Sequence, residues 1–192
     1  MLGRFEEAGR EIAHARQLDP LSVVARTIAG LHANLSGDHE AEIAHGRATV
    51  DLDPHHFLGH WGLGLALQSQ GKPKEALAEH RQAVALAPDA TLLQPVLARS
   101  LALAGHKAEA RAVLEAAVKA APHLSAYQQA TVHLALGRTA RALDLLERAG
   151  EERDPWLVWL KVDPMLEPVR KHPRLRRLLT RVLRRADDAA RG

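Results

Sequence analysis

The sequence contains no cysteine, and aromatic residues make up only 3% of it. Without cysteine there is neither a disulfide framework nor a thiolate metal site, which suits a reducing compartment. Few aromatics beside abundant alanine and leucine disfavour a β-sandwich and favour helices packed through small contacts. No apolar run reaches about 18 residues, and the opening MLGRFEEAGR lacks a basic segment followed by an apolar core. Neither a membrane span nor a signal peptide is expected, and a cytoplasmic location is the inference.

Catalytic signatures are missing as well. There is no Walker sequence, no HExxH and no GxSxG, and the scattered Asp and Glu fall mostly on outer helix faces. The stretch GHWGLGLAL has no strand before it and not the spacing of a dinucleotide loop. Of the twelve histidines, His56 and His60 share a helical face with His55 adjacent, but two imidazoles without a nearby third ligand make a weak metal site. His39 and His45, six apart, point to nearly opposite sides of a helix. No enzyme activity, cofactor or metal is expected.

The 192 residues are 46% hydrophobic, ample for a core. The formal charge of +3 is uneven: residues 169–192 carry nine Lys/Arg and two Asp, leaving 17 Lys/Arg against 21 Asp/Glu before them. The basic character belongs to the tail.

The organising feature is a period. Gly recurs at 3, 37, 71 and 105 and Pro at 20, 54, 88 and 122, both in steps of 34. Gly137 comes two residues early, which reads as a shortened turn after Pro122. Each glycine is suited to the left-handed conformation that ends one helix, and each proline stops the next. Between them EEAGREIAHARQL, AEIAHGRATVDL, EALAEHRQAVAL and EARAVLEAAVKA space apolar or small residues three and four apart. The intervening blocks have a second helical pattern, so the unit is two antiparallel helices.

Small residues mark the close approaches: Gly30, Gly64, Ala98 and Ala130 seven before each glycine, and Ala8, Ala76, Ala110 and Ala142 five after, with Glu42 the exception. Such positions let helices approach to the short end of about 8–10 Å.

With the 34-residue period, the small pair and the terminal proline, residues 3 to 150 resemble a tetratricopeptide repeat (TPR) array, most strongly over 58–88. The resemblance implies an all-α, right-handed superhelix of antiparallel helix pairs that binds a protein or peptide. Gly46 and His80 stand where the family usually has a large apolar residue, and Glu42 replaces a small one. The second repeat is therefore expected to be looser.

The array, taken as residues 1–150, begins at the second helix of a repeat, so Phe5 and Ile12 are expected on an exposed N-terminal face. Full exposure forfeits on the order of 1.5–3 kcal/mol for each. The chain is expected to be a fragment of a longer protein or to self-associate there.

Residues 151–192 are expected to be a cap. Asp154-Pro155, Asp163-Pro164 and His172-Pro173 each resemble an N-cap followed by Pro at the first helical position, implying three short helices or turns. In the last, Leu175, Leu178, Leu179, Val182 and Leu183 share one face, with Arg176, Arg177, Arg181, Arg184 and Arg185 elsewhere. This tail resembles the segment closing TPR regions at the C-terminal end of bacterial signalling proteins: serine/threonine kinases, adenylate/guanylate cyclases and winged-helix regulators. The matching residues are Trp156, Leu157, Asp163, Pro164, Leu166, Pro168, Arg170, Pro173, Arg174 and Leu179, with His172 for the usual Asp and Leu175 for Phe. The resemblance implies that this is the sensing or partner-binding half, with an effector upstream.

In such a stack the first helix of each pair lines the concave side. The repeat offsets select Val24, Thr27, Leu31 and Asn34; then Leu58, Trp61, Leu65 and Gln68; then Leu92, Pro95, Arg99 and Ala102; then Leu124, Tyr127, Thr131 and Leu134. This mainly apolar face suits an apolar peptide or helix, with Trp61 and Tyr127 as anchors, or else packs against the chain's own cap. The composition argues against the Lys/Arg/Asn clamp by which some TPR proteins hold a carboxylate terminus, since only Arg99 and Asn34 have its chemistry. Pro95 is expected in the first turn of its helix. The Arg-rich tail has three readings: a solvated capping face, a phosphate-backbone contact or an anionic-membrane contact. The first is preferred, because no aromatics are interleaved for base stacking.

Overall fold

A computed structural model describes residues 5–189, with side chains through 184; Gly3, residues 190–192 and the Arg185 side chain lie outside what it describes. Its helices are α1 (Phe5–Leu18), α2 (Val23–Ser36), α3 (His39–Leu52), α4 (Phe57–Ser69), α5 (Pro73–Leu86), α6 (Leu93–Leu103), α7 (Lys107–Ala120), α8 (Ala126–Ala135), α9 (Thr139–Glu152) and α10 (Pro173–Ala189). Two 3-10 turns, Pro155–Trp159 and Pro164–Val169, stand before α10, and no strand occurs among the described residues. Sequential helices pack together, and α2 also touches α4, as α6 touches α8. The molecule is a helical solenoid.

The period works through the backbone. Gly37, Gly71, Gly105 and Gly137 have φ of 80°, 71°, 94° and 76°. In each case the next residue donates its N–H to the carbonyl five positions back, at 2.8–2.9 Å. This closes the first helix of the pair and turns the chain into the second. Pro20, Pro54, Pro88 and Pro122 each stand two residues beyond the end of α1, α3, α5 and α7. Pro95 falls in the first turn of α6, as its missing N–H requires.

The early Gly137 is shared between turn and helix: the connection 123–125 after Pro122 is one residue shorter than 89–92 after Pro88, and α8, with 10 residues, is one shorter than α6, with 11. The start of α8 is pinned by Ser125, whose Oγ accepts from Gln128 N and donates to Asp154 Oδ2 at 2.7 Å.

Close approach occurs where expected: Ala76, Ala98, Ala110, Ala130 and Ala142 are all 0% exposed. The second repeat is close rather than loose. A Cβ on Gly46 would stand 2.9 Å from Leu63 Cα, so the missing side chain is filled by α4 itself. Glu42 is buried, and its carboxylate accepts from Asn34 Nδ2 at 2.8 Å, with Ser69 Oγ and His39 Nδ1 close by. Burial raises its pKa against the opposing effect of these partners.

His80 compensates for Gly64 in the same way. The buried imidazole lies where a Cβ on Gly64 would go, with Nε2 donating to Trp61 O at 3.2 Å and Nδ1 paired with Ser100 Oγ at 2.5 Å. A ring held at both nitrogens has nowhere to retreat. Gly64→Ala is expected to lower stability by about 1–3 kcal/mol through overpacking. In a His80→Ala background the cost should shrink by about 1 kcal/mol or more, because the two sites share one space. Urea unfolding of the four variants in this cycle checks it; additive effects would refute the shared packing.

Candidate functional site

The first helices of the pairs, α2, α4, α6 and α8, face a cavity of about 640 Å³, and the two 3-10 turns close its far end. Of the residues selected by repeat offset, Leu31, Asn34, Trp61, Leu65, Gln68, Leu92, Pro95, Arg99, Tyr127, Thr131 and Leu134 line it. Val24, Thr27, Leu58, Ala102 and Leu124 do not. Val24 lies out in solvent at 51% exposure, whereas Thr27 is buried with its hydroxyl on Val23 O. Thr27 and Leu58 instead border a much smaller crevice beside Glu42 and Gly46. Ala102 and Leu124 are buried instead in the core with Leu101 and Leu114.

The offsets missed the other wall. Trp156, Trp159, Asp163, Pro164, Met165 and Pro168 also line the cavity, all from the turns that follow the repeats. Because they lie outside the periodic part of the chain, no offset selects them. Their signal was the Asp-Pro pairs. Asp154 Oδ1 accepts from Trp156 N at 3.0 Å and Asp163 Oδ1 from Met165 N at 2.8 Å, capping the two turns. The second oxygen of each aspartate reaches α8. Asp154 Oδ2 accepts from Tyr127 N at 3.1 Å, and Asp163 Oδ2 accepts from the Tyr127 hydroxyl at 2.6 Å.

Tyr127 therefore differs from the expected partner anchor. It is 2% exposed and bolts the cap to α8; burial and the Asp163 carboxylate push its pKa up. Arg170 stitches the second turn by donating to Lys161 O, Asp163 O and Glu167 Oε2. His172 Nδ1 accepts from Arg174 N, and α10 packs its Leu175 and Leu178 into the terminal core. Arg174 donates to Glu147 and Asp144 on α9, and that hydrogen bond holds the Glu147 carboxyl below its usual range.

A buried polar chain lies beneath the cavity. Gln68 Nε2 donates to Ser100 Oγ at 2.6 Å, and Arg99 Nη2 donates to Gln68 Oε1 at 2.8 Å. Arg99 is 5% exposed, and its Nη1 meets the Met165 thioether. Ser100 passes the chain on to His80, which burial first, and Arg99 second, hold neutral with a pKa lowered to about 3.

His56 and His60, four apart on one helix face, make separate contacts. His56 Nδ1 accepts from Leu58 N at the start of α4, and His60 sits between Glu79 Oε2 at 2.7 Å and Pro54 O at 2.9 Å. At the N-terminal edge Phe5 and Ile12 are half-buried. His32 donates to Phe5 O at 2.9 Å, and its ring meets the Phe5 ring edge-on. The apolar exposure there falls instead on Leu18, Leu21, Val24 and Ile28.

The geometry is that of a helical solenoid: a curved stack of helix pairs with a concave apolar groove. Residues 61–125 match a model of the tetratricopeptide repeat family. Among solved structures, TTC0263, a thermophilic TPR protein of Thermus thermophilus, is similar at 21% identity and a TM-score of 0.66, covering 95% of this chain and 92% of that one. YrrB, described as a TPR protein with an unusual peptide-binding site, is 21% identical, with 80% of each chain covered and a TM-score of 0.50. PilF of Pseudomonas aeruginosa is 22% identical, covering 82% of this chain and 75% of that one at a TM-score of 0.53. No curated protein matches the sequence significantly. The family match spans residues 61–125 alone, and the solved structures share the fold, which is generally a protein-interaction scaffold.

His80 makes stability depend on pH. Its folded pKa lies below the unfolded value of 6.5, so unfolding takes up a proton as pH falls from 6.5 toward about 3. Stability is full above that window and is lost within it. The expected loss from this group between pH 7.5 and 5.5 is about 1.4 kcal/mol. Urea midpoints at both pH values check it: His80→Leu should flatten the dependence by that amount, and an unchanged slope would count against it.

Proposed function

We infer that the chain is a protein-interaction scaffold whose groove receives the apolar face of a partner helix. The observation that carries this reading is the lining of the cavity. Its walls are mostly apolar, Trp61 is half-buried rather than spent on the core, and most lining polar groups are already committed. Asn34 donates to Glu42 and Ser69, and Gln68 is used at both ends. An extended peptide brings backbone groups that need partners, which this lining does not supply in number; a helix satisfies its own.

The cap and its motif residues support the finer reading: the sensory or adaptor part of a larger bacterial signalling protein, working in the cytoplasm. Among the described residues no helix is long and apolar enough to cross a membrane. A division into an array over 1–150 and a cap over 151–192 fits the change from helix pairs to 3-10 turns. Self-association has one observation in its favour, the exposed apolar residues Leu18, Leu21, Val24 and Ile28. Binding of nucleic acid or anionic membrane through α10 has less. Arg176, Arg177, Arg181 and Arg184 are exposed, but the apolar face that would enter a bilayer is spent on the terminal core.

Affinity capture with the full chain tests the groove. Trp61→Ala, which removes a half-buried indole from the groove lining, is expected to weaken retention of captured proteins at least tenfold while leaving helicity unchanged. Equal retention by both forms would overturn the reading.

A further inference from the structure

Arg99 sets the groove apart from a purely apolar one. Among the described residues that line the cavity it is the only Lys or Arg, and it makes no ion pair. Its guanidinium has five N–H donors, all suited to planar anions. Nη2 finds the Gln68 amide oxygen, Nη1 finds only a thioether, a weak acceptor, and Nε has no partner. Asp163, the carboxylate on the same wall, is committed through both oxygens to Tyr127 and to Met165 N. Burial lowers the Arg99 pKa, against the nearby Asp163 carboxylate, only to about 10, so the side chain is a cation at neutral pH. A buried cation held by an amide and a sulfur is short of acceptors, and a carboxylate is its natural complement.

The rest of the lining restricts what carries that carboxylate. With Asn34 and Gln68 committed, Gln128 is the side-chain amide on the wall without a hydrogen bond of its own. The remaining surface is mostly leucine, proline, valine and tryptophan, the hydroxyls of Ser69, Tyr127 and Thr131 already donate within the chain, and about 640 Å³ falls within the range of small-molecule sites, about 300–1,000 Å³. An alkyl chain needs no hydrogen-bond partner along its length.

We propose that the cavity binds a small amphiphilic monocarboxylate, with the carboxylate on Arg99 and an acyl chain along the apolar wall between Trp61 and the cap tryptophans. The carboxylate displaces the Met165 sulfur from Nη1, exchanging a weak acceptor for a charged one. This binding is separate from the docking of a partner helix, and the two compete for one space.

The chain provides its own probe, because all three tryptophans, Trp61, Trp156 and Trp159, line the cavity. Intrinsic fluorescence of the full chain is titrated with sodium decanoate, below its micellar range, and with 1-decanol. The expected result is a saturable change with decanoate at least tenfold tighter than with the alcohol, and loss of that preference in Arg99→Met. No saturable change with decanoate, or equal affinity for acid and alcohol in the native chain, would overturn the proposal. The comparison on the native chain decides even where Arg99→Met does not fold. Failure here leaves the helix-docking reading to its own test, since that test measures retention of protein partners.

Discussion

Everything in this molecule depends on helices being able to touch at positions that carry almost no side chain. Ala76, Ala98, Ala110, Ala130 and Ala142 are wholly buried because each stands where two backbones meet. A repeat of two helices buries too little surface alone, and stacking supplies the rest. The contact recurs every 34 residues up to the fourth pair, so the stack grows with a constant sense and leaves one face concave. Where the pattern departs from alanine, the neighbour changes to match. Gly46 admits the α4 backbone, and Gly64 admits an entire imidazole.

Those departures concentrate the buried polar groups. Glu42, His80, Ser100 and Arg99 are all less than a tenth exposed in a part of the array that simple repeats fill with hydrocarbon. Each imposes a desolvation cost that hydrogen bonds only partly offset. His80 answers it by staying neutral. Arg99 cannot, because its pKa remains well above neutrality. Its charge therefore stays beside the groove, where it bears on what can be bound.

The cap converts an open stack into a groove with an end. Two aspartates do most of this, each using one oxygen to cap a 3-10 turn and the other to hold α8. Without them the apolar surfaces of Trp156, Leu157 and Leu166 would have no fixed seat on the last repeat. The Pro residues after Asp154 and Asp163 fix the turn backbones in advance, which lowers the entropy lost on docking.

The sequence by itself determined the repeat, its helix ends, the small contact positions and the three capped turns. All of these are local: a left-handed glycine, a proline stop, a side chain bonding the backbone two residues on. It also placed most of the groove, because a period carries concave positions from one pair to the next. Only the tertiary structure decided what those positions do. Tyr127 looked like a partner anchor until Asp163, 36 residues away, took its hydroxyl, and Arg99 became a cation whose Nη1 meets a sulfur 66 residues distant. Phe5 and Ile12 are half-covered because α2 folds back on α1. Such pairings depend on which surfaces meet after stacking, and no spacing within one helix encodes them.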